Sequence, residues 1–340
     1  MSTNANAKLT TRNAKLFLHG LGHFHPENVI DNRFLEELDI GTNDTWIMER
    51  VGIETRRTVL PLDYIRETRN QDTRAAIEAA QYSNATTGKL AAEMALKNAG
   101  VTPEQIGLVI AGGCSPDVVT PAEACTIAAE LGIEANAFDL NSACSSFGSQ
   151  MHFLTMMQPE ALPDFILLVS PENNTRVTNY NDRNAAVLWG DGSSAVVVSL
   201  RVPSSAKAVF STLTSSPQGW GKVLIPRLGH FEQEGATVQT FAIKRTVKCY
   251  REIKQDYPDR DVFIIGHQAN LRMLESVCNR CEIDPSLHMF NVDKFGNTGA
   301  AGAPVVLSQN WRRFKQGDLL ALIVVGAGLT WASLVIEFLD

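Results

Sequence analysis

Three side chains in this sequence have the type and local setting that acyl chemistry needs. Cys144 lies in DLNSACSSFGSQ, residues 139–150, directly after the strand-like run ANAFDLN and directly before a helical pattern. The first turn of a helix offers unpaired N–H groups and a partial positive charge, which stabilise a thiolate and lower its pKa. The small neighbours Ser142, Ala143, Ser145 and Ser146 leave room for a ligand to approach the sulfur. On this stretch alone, a buried apolar cysteine is the commoner outcome. His267 ends the run VFIIGH ahead of QANLRMLESVCNRC, and Asn297 sits in KFGNTGAAGAP, a glycine-rich loop entering a helix. Taken singly, the histidine reads as a satisfied structural group and the asparagine as a turn former. Brought to one seam, a thiolate beside two hydrogen-bond donors suits acyl transfer.

Such a meeting needs elements that return distant segments to one place. TTGKLAAEMALKN (86–98) has helical apolar spacing and stops at Gly100, IGLVIAGG reads as a buried strand, and PAEACTIAAELG reads as a helix opened by Pro121 and closed by Gly132. FILLVS and SSAVVVSL are further strands. This alternation predicts an α/β fold with parallel or mixed sheets. The order repeats: LVIAG (108–112) resembles VFIIG (262–266), FDLNSACSS resembles FNVDKFGNTG, and Val169 before Ser170 resembles Val325 before Gly326, all at nearly constant offset. In this reading FGNTG takes the second-half place that NSACSS holds in the first, and matching loops converge at the seam. The halves divide as residues 16–200, with the cysteine, and 201–340, with the histidine and asparagine.

Composition narrows the class. With 340 residues, 44% hydrophobic and 20% charged, the chain has material for more than one ordinary core. A net charge of −7 argues against a nucleic-acid partner. Six cysteines in so long a chain do not form a disulfide scaffold. MSTNANAKLTTRNAK lacks the apolar core of a signal peptide and reads as a polar tail. LLALIVVGAGLTWASLVIEFL is long enough to raise the question of a membrane span, but Gly326 and Gly328 divide it into two buried strands joined by a tight turn. A cytoplasmic protein with reduced thiols, no membrane partner and no metal is expected. Cys278 and Cys281 form a lone C-x-x-C inside a helix and read as core; His19, His23 and His25 read as a strand edge and turn. No phosphate-binding G-x-x-x-x-G-K-[ST] and no G-x-S-x-G hydrolase elbow occurs.

Five ordered motifs, DTWIMERVGIETR, WGDGSSAVVV, HQANLRML, GNTGAAGAP and GAGLTWAS, resemble the β-ketoacyl-acyl-carrier-protein synthase III family of condensing enzymes, over residues 16 to 338. The resemblance implies a thiolase-like fold of duplicated βαβαβ halves in five α-β-α-β-α layers. It implies decarboxylative Claisen condensation of an acyl primer, from acyl-coenzyme A or acyl-carrier protein, with a malonyl thioester, without a cofactor. Cys144 matches the acyl-accepting nucleophile, and His267 and Asn297 the pair that holds the malonyl thioester carbonyl. The backbone N–H groups of Cys144 and Gly328 match a second oxyanion hole. Trp46, Arg50 and Arg183 match coenzyme A contacts, and Lys244, Arg245, Lys248 and Arg272 form the expected docking surface for an acidic carrier protein. The family's dimers form a continuous sheet, so a homodimer is expected.

Three departures from the family pattern bear on the substrate. Thr120 stands where many relatives carry a bulky aromatic limiting the partner subunit's acyl pocket. The charged connection 59–84 is long and is expected over the tunnel mouth, and NSACSS brings extra hydroxyls near the nucleophile. They point to a longer or functionalised acyl group, in fatty-acid initiation or in polyketide-type biosynthesis. Two other readings keep the same cysteine or discard it: an acyltransferase or thioesterase, and a non-catalytic carrier-binding subunit.

Overall fold

The computed structural model of the chain describes residues 8–339. Among them, nine strands form the main sheet: β1 (Leu9–Phe24), β2 (Ile106–Ala111), β3 (Asn136–Asp139), β4 (Phe165–Glu172), β5 (Gly192–Ser199), β6 (Ala206–Ser215), β7 (Val262–Gly266), β8 (Leu319–Gly326) and β9 (Thr330–Phe338). Their order is β7–β8–β9–β6–β1–β5–β4–β2–β3. From the centre outward, β1 pairs antiparallel with β5, β5 antiparallel with β4, β4 parallel with β2, and β2 parallel with β3. The other side repeats this: β6 antiparallel with β9, β9 antiparallel with β8, and β8 parallel with β7. A single parallel bridge, Ile264 to His288, stands where β3 stands in the first half. The two halves meet through the antiparallel β1–β6 pair.

Strand periodicity sorts the apolar side chains into layers, because successive residues point to opposite faces. Leu108 and Ile110 face a central core containing Phe147, Met151 and Leu154 of one helix and Ala303, Val306 and Leu307 of another. Val109 and Ala111 face an outer core with Ala91, Ala95 and Ile127. Ile264, Ala321, Ile323 and Val335 face a second outer core with Tyr250, Ile253, Met273 and Val277. The two halves of the one sheet thus enclose the central core, giving helix, half-sheet, helix, half-sheet, helix. Buried apolar residues on both strand faces explain why FILLVS and LLALIVVG read as continuous hydrophobic runs.

The helices that matter are α1 (Asp44–Arg50), α2 (Asn84–Ala99), α3 (Glu123–Leu131), α4 (Ser146–Thr155), α5 (Gly235–Asp256), α6 (Leu271–Cys281) and α7 (Gly302–Asn310). Gly100 and Gly132 cap α2 and α3 in the left-handed region. Asn43 and Asn270 accept the N–H of Trp46 and Met273 at 2.8 Å and start α1 and α6. The C-terminal apolar stretch is β8 and β9 joined at a turn, and no helix of the described residues is long and apolar enough to cross a membrane.

Several expectations need correction. Residues 1–7 of the expected polar tail lie outside the described residues, and from Leu9 onward the chain is strand because β6 pairs with it. β1 is the innermost strand, so His19, His23 and His25 lie on no sheet edge; they bond Val202 O, Ser308 Oγ and Asp191 O at 3.0, 2.8 and 3.1 Å. Among the described residues no group of three or more His, Cys, Asp or Glu could hold a metal ion. The connection 59–84 holds two short helices, Leu62–Thr68 and Thr73–Ala79, and it packs on segment 174–180. Asn70 Nδ2 donates to the carbonyls of Thr175, Arg176 and Thr178 there.

Candidate active site

Cys144 sits on a turn between β3 and α4 that is fixed from several sides. Ala143, just before it, is in the left-handed region at φ 52°, a costly conformation for a residue with a Cβ. Asn141 supports it: Oδ1 accepts the Ala143 N–H at 2.7 Å, while Nδ2 donates to Gly113 O at 2.8 Å. The serine hydroxyls bond within the turn and α4, Ser145 to Ser142 O at 2.7 Å, Ser146 to Ala143 O at 2.6 Å, and Ser142 with Ser149 at 2.6 Å. The extra hydroxyls of NSACSS therefore build the turn and give no information about the acyl group. Gly326 closes the other side. A Cβ there would fall 2.6 Å from Ser142 O and 2.7 Å from Ser145 N, so only glycine lets β8 end against the nucleophile turn.

Asn297 is held by the second half's equivalent loop. Its N–H donates to Leu188 O at 2.8 Å, its carbonyl accepts the Gly190 N–H at 3.1 Å, and Oδ1 accepts the Gly299 N–H at 3.0 Å. The oxygen end of the carboxamide is thus committed to the loop, leaving the NH2 end to donate. This gives WGDGSS its role. A Cβ on Gly190 would lie 2.0 Å from Phe295 O, and Asp191 accepts the N–H groups of Val59 and Thr175, both at 2.8 Å. His267 follows β7, is almost buried and lines the same cavity as Cys144; its Nδ1 is buried without a partner among the described residues.

The structure brings these three together. A cavity of about 540 Å³ is lined by Cys144, His267 and Asn297, and also by Trp46, Arg50 and Ala327. Cys144 is 8% exposed and Arg50 is an exposed residue, so the cavity connects the thiol to the surface. The Cys144 thiol is held well below its ordinary pKa. The hydrogen bond from the Cys114 thiol, with the sulfurs 3.5 Å apart, contributes most; burial opposes it, and the His267 imidazole adds a hydrogen bond and a favourable charge interaction.

The expected binding residues divide. Trp46 and Arg50 line the cavity, and Arg183 stands at its edge with its guanidinium carbon 4.8 Å from the centre of the Trp46 ring. Arg50 lies 5.6 Å from the same ring. Lys244 and Lys248 are exposed on α5, whereas Arg245 stacks on Trp331 and Phe241 at 4.4 and 5.0 Å. Arg272 is spent on Met48 O and Glu275 and does not line the cavity. Two expected positions stand away from the cavity. Thr120 is exposed in the loop before α3 and does not line the cavity. Gly326 and Ala327 line the cavity, whereas Gly328, in the turn between β8 and β9, does not. Residues 59–84 do not line the cavity either.

Two site residues escaped the sequence reading. Cys114 follows β2 in AGGCSPD and touches the nucleophile; β2 and β3 are adjacent and parallel, so the loops after both open at one place. Glu172 ends β4, fully buried, and accepts the N–H of Cys114 at 2.9 Å, the N–H of Ala300 at 2.6 Å and Asn174 Nδ2 at 2.9 Å. One carboxyl thereby ties the cysteine loops to the Asn297 loop. Burial, then the Cys144 charge, push it up to about 8, while the backbone donors pull the other way.

A two-half sheet of this order with a cysteine, a histidine and an asparagine on one cavity defines an acyl-transfer enzyme of the thiolase fold. Models of 3-oxoacyl-[acyl-carrier-protein] synthase III match residues 138–217, and of its C-terminal part residues 254–338. A β-ketoacyl-[acyl-carrier-protein] synthase III of Alkalilimnicola ehrlichii is 33% identical, with 94% of this chain and 98% of the relative covered. One from Roseiflexus sp. is 32% identical, covering 94% and 97%. The crystal structure of 3-oxoacyl-[acyl-carrier-protein] synthase III from Aquifex aeolicus superposes with a TM-score of 0.83 at 26% identity, covering 95% of this chain and 100% of that one. The priming β-ketosynthase of the R1128 polyketide pathway superposes at 0.79 with 26% identity, covering 97% and 98%. The chain belongs to the β-ketoacyl-acyl-carrier-protein synthase III family.

Proposed function

We propose that the protein joins an acyl primer to a malonyl thioester by decarboxylative condensation, through a thioester on Cys144. The supporting observation is the single surface-connected cavity that holds Cys144, His267 and Asn297. In the first half-reaction the Cys144 thiolate attacks the acyl carbonyl carbon, and the donor thiol leaves. The Cys144 N–H and an N–H of the turn after β8 bind the oxyanion; Ala327, which lines the cavity, is better placed for this than Gly328. In the second, the malonyl carboxylate leaves as carbon dioxide and its bonding electrons pass into an enolate. His267 Nε2–H and Asn297 Nδ2–H hold that oxygen. The enolate carbon then attacks the Cys144 thioester, a carbon–carbon bond forms, and the thiolate is released. All these steps use protein groups, with coenzyme A and carrier-protein phosphopantetheine entering as parts of substrates.

Residues 16–200 would supply the nucleophile half and 201–340 the half that handles malonate. Arg183 occupies the face of Trp46, so an adenine entering between them must part them to about 7 Å, two van der Waals contacts. Lys244 and Lys248 are the exposed cations offered to an acidic carrier protein, in a cytoplasmic setting. β3 is an outermost strand, with Phe138 43% and nearby Val119 68% exposed, which supports a homodimer that extends the sheet and carries Thr120 toward the partner's acyl pocket.

Product analysis tests the reaction. Acylated enzyme mixed with malonyl-carrier protein should give carbon dioxide and a β-ketoacyl-carrier protein in equal amounts. Free acid, or transfer of the acyl group without carbon dioxide, would establish thioesterase or simple transferase chemistry instead.

A further inference from the structure

The second cysteine at the nucleophile supports the Cys144 thiolate but forms and breaks no bond in the reaction above. Cys114 and Cys144 come from loops after adjacent parallel strands, and their sulfurs are 3.5 Å apart. Their closeness is built in. Asn141 bridges the two loops through Gly113 O and Ala143 N–H, and Glu172 holds the Cys114 N–H from behind. A disulfide needs sulfurs about 2.05 Å apart, so closure requires an approach of only about 1.5 Å. The pair is chemically unequal. Cys144 faces the surface-connected cavity with two groups favouring its thiolate, whereas the half-buried Cys114 keeps its proton, chiefly because it donates to Cys144, with its partial burial and the nearby Glu172 acting in the same direction. A thiolate reached through a surface-connected cavity, beside a protonated thiol that can resolve it, is the arrangement of a redox-sensitive cysteine.

We propose that Cys114 and Cys144 form a reversible disulfide, making the active site a modification site that peroxide closes and a thiol reductant reopens. The Cys144 thiolate attacks one oxygen of the peroxide. A sulfur–oxygen bond forms, the oxygen–oxygen bond breaks, and the departing hydroxide becomes water by taking up the proton that the Cys144 thiol released to solvent on ionising. The Cys114 sulfur then attacks the Cys144 sulfenic acid. The sulfur–sulfur bond forms, the sulfur–oxygen bond breaks, and the departing hydroxide takes the Cys114 proton as water. Two electrons pass from the two sulfurs to the peroxide, and a dithiol returns them. The disulfide occupies the sulfur that would carry the acyl group, so the closed form cannot be primed. It also halts oxidation before the sulfinic and sulfonic acids. This inference depends on the reactivity of Cys144 and not on the identity of the acyl group.

The test is intact-mass analysis of the full-length protein after limited hydrogen peroxide. The wild type should lose 2 Da on oxidation, a figure of roughly two hydrogens per disulfide, with a tryptic cross-link joining the Cys114 and Cys144 peptides. Dithiothreitol should restore acylation of Cys144. Cys114→Ser, scored against its own untreated sample, should instead gain oxygen on Cys144 and recover little. Cys114→Ala guards against an effect of the serine hydroxyl. Oxygen gain in the wild type with no cross-link, or a cross-link confined to Cys278 and Cys281, would overturn the proposal. If Cys144 accepts acyl groups yet fails to cross-link, only this inference falls; if it neither acylates nor oxidises, the condensing role falls with it.

Discussion

Replacing Asn297 with alanine removes the donor assigned to the malonyl enolate and leaves the nucleophile's own surroundings intact. The backbone of the loop is held independently of the side chain, by the Asn297 N–H on Leu188 O and the Gly190 N–H on Asn297 O. What the fold loses is the Oδ1 contact to the Gly299 N–H, about 1 kcal/mol for a neutral hydrogen bond. Asn297 is 6% exposed, so its donor acts in a nearly dry site. Losing one such oxyanion donor costs roughly 2.7–4 kcal/mol, a 10²–10³-fold fall in rate. Cys144 draws its activation from Cys114 and His267, so its acylation should change by no more than about threefold, under 1 kcal/mol. The assay separates the steps: rapid-quench intact mass follows acylation, and carbon dioxide release from malonyl-carrier protein follows decarboxylation. Equal losses in both steps, or an unchanged rate of carbon dioxide release, would refute the division of labour.

Trp46→Ala should raise KM for coenzyme A thioesters by about tenfold, since one stacked base is worth about 1–3 kcal/mol; a truncated thioester lacking adenine should show no difference, and an equal loss with both donors would remove Trp46 from nucleotide binding. Gly326→Ala places a Cβ against backbone atoms that cannot rotate away and should cost about 1–3 kcal/mol in urea unfolding; a change below about 0.5 kcal/mol would show that the turn can yield. His25 is pushed down to about 4 by burial, stacked on Phe295 at 3.9 Å. Its folded value lies below its unfolded one, so the unfolded chain binds more protons between about pH 6.5 and 4, and stability falls as the pH drops through that window. The loss should reach at most roughly 3 kcal/mol. His25→Phe should flatten this part of the stability curve, and an unchanged slope would assign it to other groups.

The parts legible in the sequence were those that local pattern fixes. Cys144, His267 and Asn297 each follow a strand-like run and precede a helix or a glycine-rich loop, and the repeat pairs their loops. The buried runs around Leu167 and Leu322 read as strands because both faces are apolar. Cys114 and Glu172 escaped because their importance comes from neighbouring strands, which no spacing along the chain states. The serines of NSACSS misled because a hydroxyl reads the same whether it faces a substrate or closes a turn. Gly328 was one residue beyond the cavity wall, a precision that depends on how the turn leaves β8. Thr120 was placed by analogy with an aromatic that reaches a partner subunit, and one chain alone does not bring it to its own cavity.

The central claim is that Cys144 carries the acyl group before malonate arrives, and the mass of the intact protein after exposure to a panel of acyl-coenzyme A thioesters tests it most directly. The account predicts one acyl group per chain, mapped to the Cys144 peptide and absent from Cys144→Ala. An acyl adduct at full stoichiometry on Cys144→Ala, or none on the wild type with any thioester that supports product formation, would contradict it.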